Sequence, residues 1–257
     1  MVQRLTFRLI AMLYIAFVFL TSAFFFMIAV LIWLTTVLFD KRLWLLHRFT
    51  CFWASLYIWL MPPWSVSIKG KENIDPNDTY IIVSNHQSLV DILVAFTLFT
   101  HFKWVSKAEL FNIPLIGWNM SLNQYIKLRR GSNKSVKTMY KACEKHLEHG
   151  SSVYLFPEGT RSESGQMRKF KEGAFVLAKR LQKPILPVVI NGSRTALPKN
   201  SFNFHGKTQI EVTVLAPILP ESFGEDTAKE LAAKVQLQIE QRVVPDSVAP
   251  DSIAPES

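Results

Sequence analysis

Residues 84–91 read SNHQSLVD, which sets His86 five positions ahead of Asp91. The octet follows the apolar, β-rich run YIIV at 80–83. A neutral imidazole can take a proton from a hydroxyl. A carboxylate on its other nitrogen fixes the tautomer and stabilises the imidazolium that forms. The pair therefore has the makings of a general base and its orienter. Ser84 or Asn85 is expected to cap a helix that starts after the strand. His86 would then sit in the first turn, where the helix dipole disfavours imidazolium. An offset of five is off-face in a regular helix, so the ring must fold back toward Asp91 from the helix start. No serine or cysteine stands out as a third member, so the histidine is expected to act on a substrate hydroxyl directly. A capping histidine beside an incidental aspartate fits the same spacing.

A second group lies at 156–162, FPEGTRS, after the strand candidate VYLF. Pro-Glu-Gly-Thr-Arg reads as a turn, and a turn at the carboxyl end of a strand is where open α/β sheets bind ligands. Arg161 offers a planar fork of donors suited to phosphate. Glu158 can bind a hydroxyl or brace the turn. A third group, KAELFNIPLIG at 107–117 with YIKLRRG at 125–131, adds Lys107 and Arg130 as positive charges. By itself it reads first as a basic solvated loop. The strand PILPVVING at 184–192 carries Pro187 and suits a pocket wall or sheet edge.

These groups need a scaffold. From Ser65 on, β-rich runs at 66–68, 80–83, 103–105, 124–128, 153–156, 185–190 and 209–215 alternate with helical patterns near 88–100, 133–148, 171–182 and 225–242. That alternation predicts an α/β fold, a mixed sheet flanked by helices. Before it, the first proline is Pro62 and the first glycine is Gly70, so neither helix breaker occurs in the first sixty residues. Leu5 to Phe39 is nearly all apolar, longer than the roughly 20 residues that cross a bilayer core. Two readings stay open, a single long tilted helix and a hairpin turning near Thr21-Ser22. Arg4 and Arg8 at the start of the run and Lys41, Arg42 and Arg48 after it favour a hairpin, whereas the missing Gly and Pro oppose one. In the segment that follows, His47, Cys51 and Ser55 recur at four-residue steps among Trp44, Trp53 and Trp59. This fits a helix in the headgroup layer or a buried helix of the domain. Cys51 and Cys143 lack metal-ligand spacing and read as small hydrophobes. The net charge of +9 suits an anionic membrane surface better than nucleic acid, for which no Arg-rich, aromatic-interleaved signature exists. The chain is thus expected to divide into a membrane helix or hairpin with an interfacial helix (1–62), a catalytic domain (63–243) and a disordered Pro/Ser/acidic tail (244–257).

Taken in order, His-x4-Asp, then Lys-x-Glu-Leu with a downstream Arg, then Phe-Pro-Glu-Gly-Thr-Arg-Ser, then a Pro-Val strand resembles the glycerophospholipid acyltransferases. The 1-acylglycerol-3-phosphate branch is the nearest in pattern. The likeness covers about 65–220. It departs where the family often reads Ile-x-Ile-Asp-Arg, since Arg129 stands in the Asp position and only Arg130 matches. The resemblance implies transfer of an acyl group from acyl-CoA or acyl-carrier protein to the sn-2 hydroxyl of 1-acylglycerol-3-phosphate. Another lysophospholipid or membrane lipid is the alternative acceptor. It implies His86 and Asp91 as catalytic, and Lys107, Arg130, Glu158, Gly159, Thr160 and Arg161 as substrate-binding. Neither metal nor cofactor is expected, because a thioester is already activated. Backbone N–H groups near the helix start are expected to stabilise an oxyanion. The partners expected are a lysophospholipid, the thioester donor and the bilayer, with the catalytic domain on the cytoplasmic side of the inner membrane.

Overall fold

A computed structural model describes residues 2–61, 63–161, 166–197 and 207–244, with side chains from Met12 on except at 15. The tail expected at 244–257 lies outside them apart from its first residue. Among the described residues the strands are β1 (Trp64–Lys69), β2 (Ile81–Ser84), β3 (Phe102–Lys107), β4 (Ile126–Leu128), β5 (Ser152–Leu155), β6 (Ile185–Asn191) and β7 (Thr208–Val214). The helices are α1 (Val2–Thr36), α2 (Trp44–Trp59), α3 (Val90–Phe96), α4 (Ile116–Leu122), α5 (Asn133–Glu148), α6 (Gly173–Leu181), α7 (Ser193–Ala196) and α8 (Ala228–Glu240). The strands form one sheet in the order β1-β7-β6-β2-β5-β3-β4. It is mixed, as expected: β6, β2, β5, β3 and β4 run parallel, β7 pairs antiparallel with β6, and β1 runs parallel to β7. The carboxyl ends of the five parallel strands therefore share one edge, and every expected site residue is at or just beyond it.

Period-two alternation sends neighbouring strand residues to opposite faces. On β6, Leu186, Val188 and Ile190 face one core while Ile185 and Val189 face the other. The first core is covered by α2 and α3 through Cys51, Ala54, Ile58, Val90 and Val94. The second is covered by α5, α6 and α8 through Met139, Cys143, Phe175, Val235 and Ile239. In α5 the buried Met139, Cys143 and Leu147 recur every four residues, and Ser132 caps the helix by accepting the Ser135 N–H at 3.2 Å.

The apolar N-terminus is one continuous helix, not a hairpin. Its 35 residues extend about 52 Å at about 1.5 Å per residue. Thr21 and Ser22 do not turn the chain. Thr21 Oγ1 donates back to Phe17 O at 2.6 Å, and both hydroxyls meet the Tyr57 hydroxyl, at 3.0 and 2.9 Å. With no Gly or Pro to break the helix, the polar pair becomes the seat on which α2 docks.

In α2 the stripe of His47, Cys51 and Ser55 faces the protein interior and not the headgroup layer. His47 is held between the Tyr125 hydroxyl (Nδ1, 2.8 Å) and Thr100 O (Nε2, 3.0 Å). Burial lowers its pKa well below the usual histidine range. The outer face is apolar, with Trp44, Phe52, Trp59 and Leu60 exposed. So α2 is a core helix on one side and a greasy surface on the other. Beneath it, Lys103 of β3 is 1% exposed. Its ammonium donates to the carbonyls of Arg42 and Asn123 at 2.7 and 2.9 Å, tying the α1–α2 connection and the end of α4 to the sheet.

Candidate active site

The helix after β2 begins at Val90, four residues beyond His86. Ser84 and Asn85 do not cap it. Ser84 ends β2 and accepts the Tyr154 hydroxyl at 2.9 Å. Asn85 turns to the neighbouring strand, donating to Ile190 O at 2.8 Å and accepting the Ile190 N–H at 2.9 Å. This clamp continues the sheet side by side after the ladder stops, so the chain leaves the strand as a loop. The loop wraps around one carboxylate oxygen. Asp91 Oδ2 accepts the N–H groups of Gln87 at 2.7 Å and Ser88 at 2.8 Å, and it meets His86 Nδ1 at 2.9 Å. Asp91 is fully buried and His86 is 13% exposed. The off-face offset of five is resolved here: the histidine precedes the helix and the aspartate in its first turn reaches back.

An oxygen that already accepts two N–H bonds must also accept from the ring. Nδ1 therefore carries the proton and Nε2 keeps its lone pair. The ring lies flat on Phe156, centroids 3.9 Å apart and planes 13° apart. Phe156 in turn stacks on Trp104. The imidazole is thus fixed from its edge by Asp91 and from one face by Phe156.

Glu158 is a brace. Its Oε1 accepts the His86 N–H at 2.7 Å and its Oε2 accepts the Arg168 N–H at 2.9 Å. Burial pushes its carboxyl up to about 7, while the N–H bonds from Arg168 and His86 pull the other way. Four of the backbone N–H groups near the helix start have side-chain partners. Those of His86, Gln87, Ser88 and Val90 are all committed, to Glu158, Asp91, Asp91 and Ser88 Oγ.

Gly159 follows with φ of +73°, a conformation that favours glycine. Thr160 and Arg161 are half-buried beyond it, at the end of β5, the strand next to β2. Lys107 ends β3, is 46% exposed and stands 3.8 Å from Glu109. Arg130 is exposed after β4. At about 4.8 Å per strand, these strands lie roughly 10 and 14 Å from β2 along the edge. So His86, Asp91, Glu158 and Gly159 come together, whereas Lys107 and Arg130 are further along the crevice. Within β4, the Lys127 ammonium sits over the Phe111 ring at 4.8 Å.

A cavity of about 410 Å³ opens on the face covered by α1–α3. It starts beside the loop at Leu89 and Val90 and reaches Tyr14 and Val18 of α1. Its walls are almost wholly apolar, with Trp104 from the sheet and Phe96 from α3. Sequence reasoning missed the Phe156 shelf, although an aromatic directly before the Pro-Glu-Gly turn was a usable signal. It also missed Arg168, whose contribution is a backbone N–H that no spacing announces.

Residues 65–191 match the acyltransferase family model. A chloroplastic 1-acyl-sn-glycerol-3-phosphate acyltransferase of Brassica napus is 36% identical over 184 residues, 71% of this chain and 53% of that protein. The 1-acyl-sn-glycerol-3-phosphate acyltransferase of Saccharomyces cerevisiae is 34% identical, over 70% of this chain and 60% of that protein. The chain thus spans little more than half the length of these curated relatives. The crystal structure of the 1-acyl-sn-glycerophosphate acyltransferase PlsC from Thermotoga maritima has the same fold, with a TM-score of 0.73 and 24% identity over 91% of this chain and 93% of that one. The loop that wraps Asp91 and the turn that braces it both fall inside the matched stretch, and on these grounds residues 65–191 form an acyltransferase-family domain.

Proposed function

We propose that the protein transfers a fatty acyl group from acyl-CoA or acyl-carrier protein to the sn-2 hydroxyl of 1-acylglycerol-3-phosphate, giving phosphatidic acid for phospholipid biosynthesis. The observation that carries this reading is the His86–Asp91 pair, which leaves Nε2 as a proton acceptor in a partly open crevice. The acceptor hydroxyl gives its proton to Nε2 as its oxygen attacks the thioester carbonyl. Asp91 balances the imidazolium. The tetrahedral intermediate then expels the thiolate, which takes the proton back, and the ester remains. Glu158 and Gly159 shape the acceptor side, and Arg161 binds the phosphate with its paired N–H groups. Lys107 and Arg130 extend the positive edge beyond it.

The apolar cavity beside the loop supports an acyl substrate, and the two plant and fungal relatives carry the same acceptor in their names. The apolar stretch Met12–Thr36 is long enough to cross a bilayer. It supports a membrane location, with the catalytic domain on the cytoplasmic side, where soluble thioester donors occur. The test is a panel of lysophospholipids and acyl thioesters given to purified protein, with products read by mass. Phosphatidic acid from lysophosphatidic acid is expected to dominate. Free fatty acid as the main product would make the protein a thioesterase, and faster acylation of another lysophospholipid would reassign the acceptor.

A further inference from the structure

The turn at 156–159 lies under the His86 ring and is closed by the Gly159 N–H donating to Phe156 O at 2.9 Å. The chain ahead of α6 is fastened to it, since the Lys171 N–H donates to Pro157 O at 2.9 Å. From there the Lys171 side chain crosses Gly159. A Cβ on Gly159 would stand 3.4, 3.0 and 2.7 Å from Lys171 Cδ, Cε and Nζ. The lysine stem fills the room that any side chain at 159 would need. Its ammonium is delivered to the point where the turn gives way to Thr160 and Arg161.

Among the described residues the Lys171 ammonium makes no ion pair. The neighbouring Glu158 carboxylate already accepts from two backbone N–H groups. Lys171 is exposed, and Arg161 follows Gly159 by two residues, so two cations belong to one turn. Like charges gathered this way repel unless an anion lies between them. In the proposed acceptor the phosphate is only a few bonds from the hydroxyl that meets His86, which places it at this turn. A lysine adds a compact point charge beside the planar fork of an arginine.

We infer that Lys171 is a second cation of the acceptor's phosphate site, held in place over Gly159, and that it sets the preference for a phosphorylated acceptor. The inference rests on the lysophosphatidic acid reading above. It also gives Gly159 a second task besides its positive φ, because any side chain there displaces the lysine.

The experiment compares kcat/KM for lysophosphatidic acid and for monoacylglycerol in wild type, Lys171→Met, Lys171→Arg and Arg161→Gln. Methionine keeps the stem and removes the charge. Lys171→Met is expected to lose roughly 10- to 100-fold on the phosphorylated acceptor, mainly in KM, and little on the other. Lys171→Arg is expected to restore most of it. Equal losses on both acceptors, or no loss on either, would overturn the inference while Arg161→Gln still reports on the phosphate site. A wild type with no preference for the phosphorylated acceptor would overturn the acceptor reading, and the inference with it.

Discussion

A base that works on a hydroxyl must be held by one nitrogen and open at the other. His86 meets this condition through Asp91 at 2.9 Å and Phe156 beneath the ring. His86→Ala is expected to lower turnover about 10²–10⁴-fold while the thermal midpoint stays near wild type, since the side chain reaches the crevice. Near-full turnover of the folded variant would remove the base from this position. Glu158 invites a different measurement. Its folded-state pKa is about 7 against an ordinary 4.5. Below the lower value the carboxyl is protonated in both states, and its contribution to stability is complete. As pH rises the unfolded chain sheds the proton first, and the contribution is lost as pH passes through the folded value. The size is at most about 3.5 kcal/mol, from roughly 1.4 kcal/mol per unit. Glu158→Gln cannot titrate, so the stability of wild type relative to this variant should fall between pH 4.5 and 7 in denaturant titrations. A flat difference would mean that the two N–H bonds hold the carboxylate ionised throughout.

Between elements, the contact that decides the position of α1 is polar. The Tyr57 hydroxyl meets Thr21 and Ser22 of α1 and accepts the Trp53 Nε1–H at 2.9 Å. Ser22 and Trp53 are buried, so removing the hydroxyl leaves partners that water cannot replace. Tyr57→Phe is expected to cost about 1–3 kcal/mol for each orphaned group. The readout is a lower thermal midpoint in detergent together with faster protease cutting between α1 and α2. An unchanged midpoint would show that apolar packing alone seats the helix.

For the whole molecule, α2 and the sheet share a core. Cys51, Ala54 and Ile58 of α2 pack in the same cluster as Leu186 and Val188 of the sheet. Deleting 1–62 is therefore expected to abolish a cooperative unfolding transition, not merely to release the protein from membranes. Deleting 1–39 leaves α2 in place and removes the Met12–Thr36 stretch. This shorter truncation is expected to keep the transition, float less with liposomes, and lose turnover because Tyr14 and Val18 no longer wall the cavity. Flotation equal to that of the full chain would shift the anchor to the exposed Trp44, Phe52 and Trp59 of α2.

The order of strands and helices from 65 on was legible because each pattern lies within one element. The buried four-residue repeat of α5 and the β-rich runs before SNHQ and FPEG needed no partner to be read. The types of the reacting groups, a histidine with a downstream aspartate and a Glu-Gly turn with an arginine, were legible for the same reason. Tertiary contacts decided the rest. Periodicity says that α2 has two faces but not which one is covered, so its His47–Cys51–Ser55 stripe read equally as outer surface until the sheet was found beneath it. Propensity favours Ser84 and Asn85 as helix caps, yet β6 lies alongside and takes Asn85, leaving Asp91 to gather the loop. Glu158 meets the His86 N–H across 72 positions of chain, and Lys171 crosses Gly159 only because both segments pack at one strand end. A backbone N–H carries no residue type, so which carboxylate it meets is set by how the elements pack.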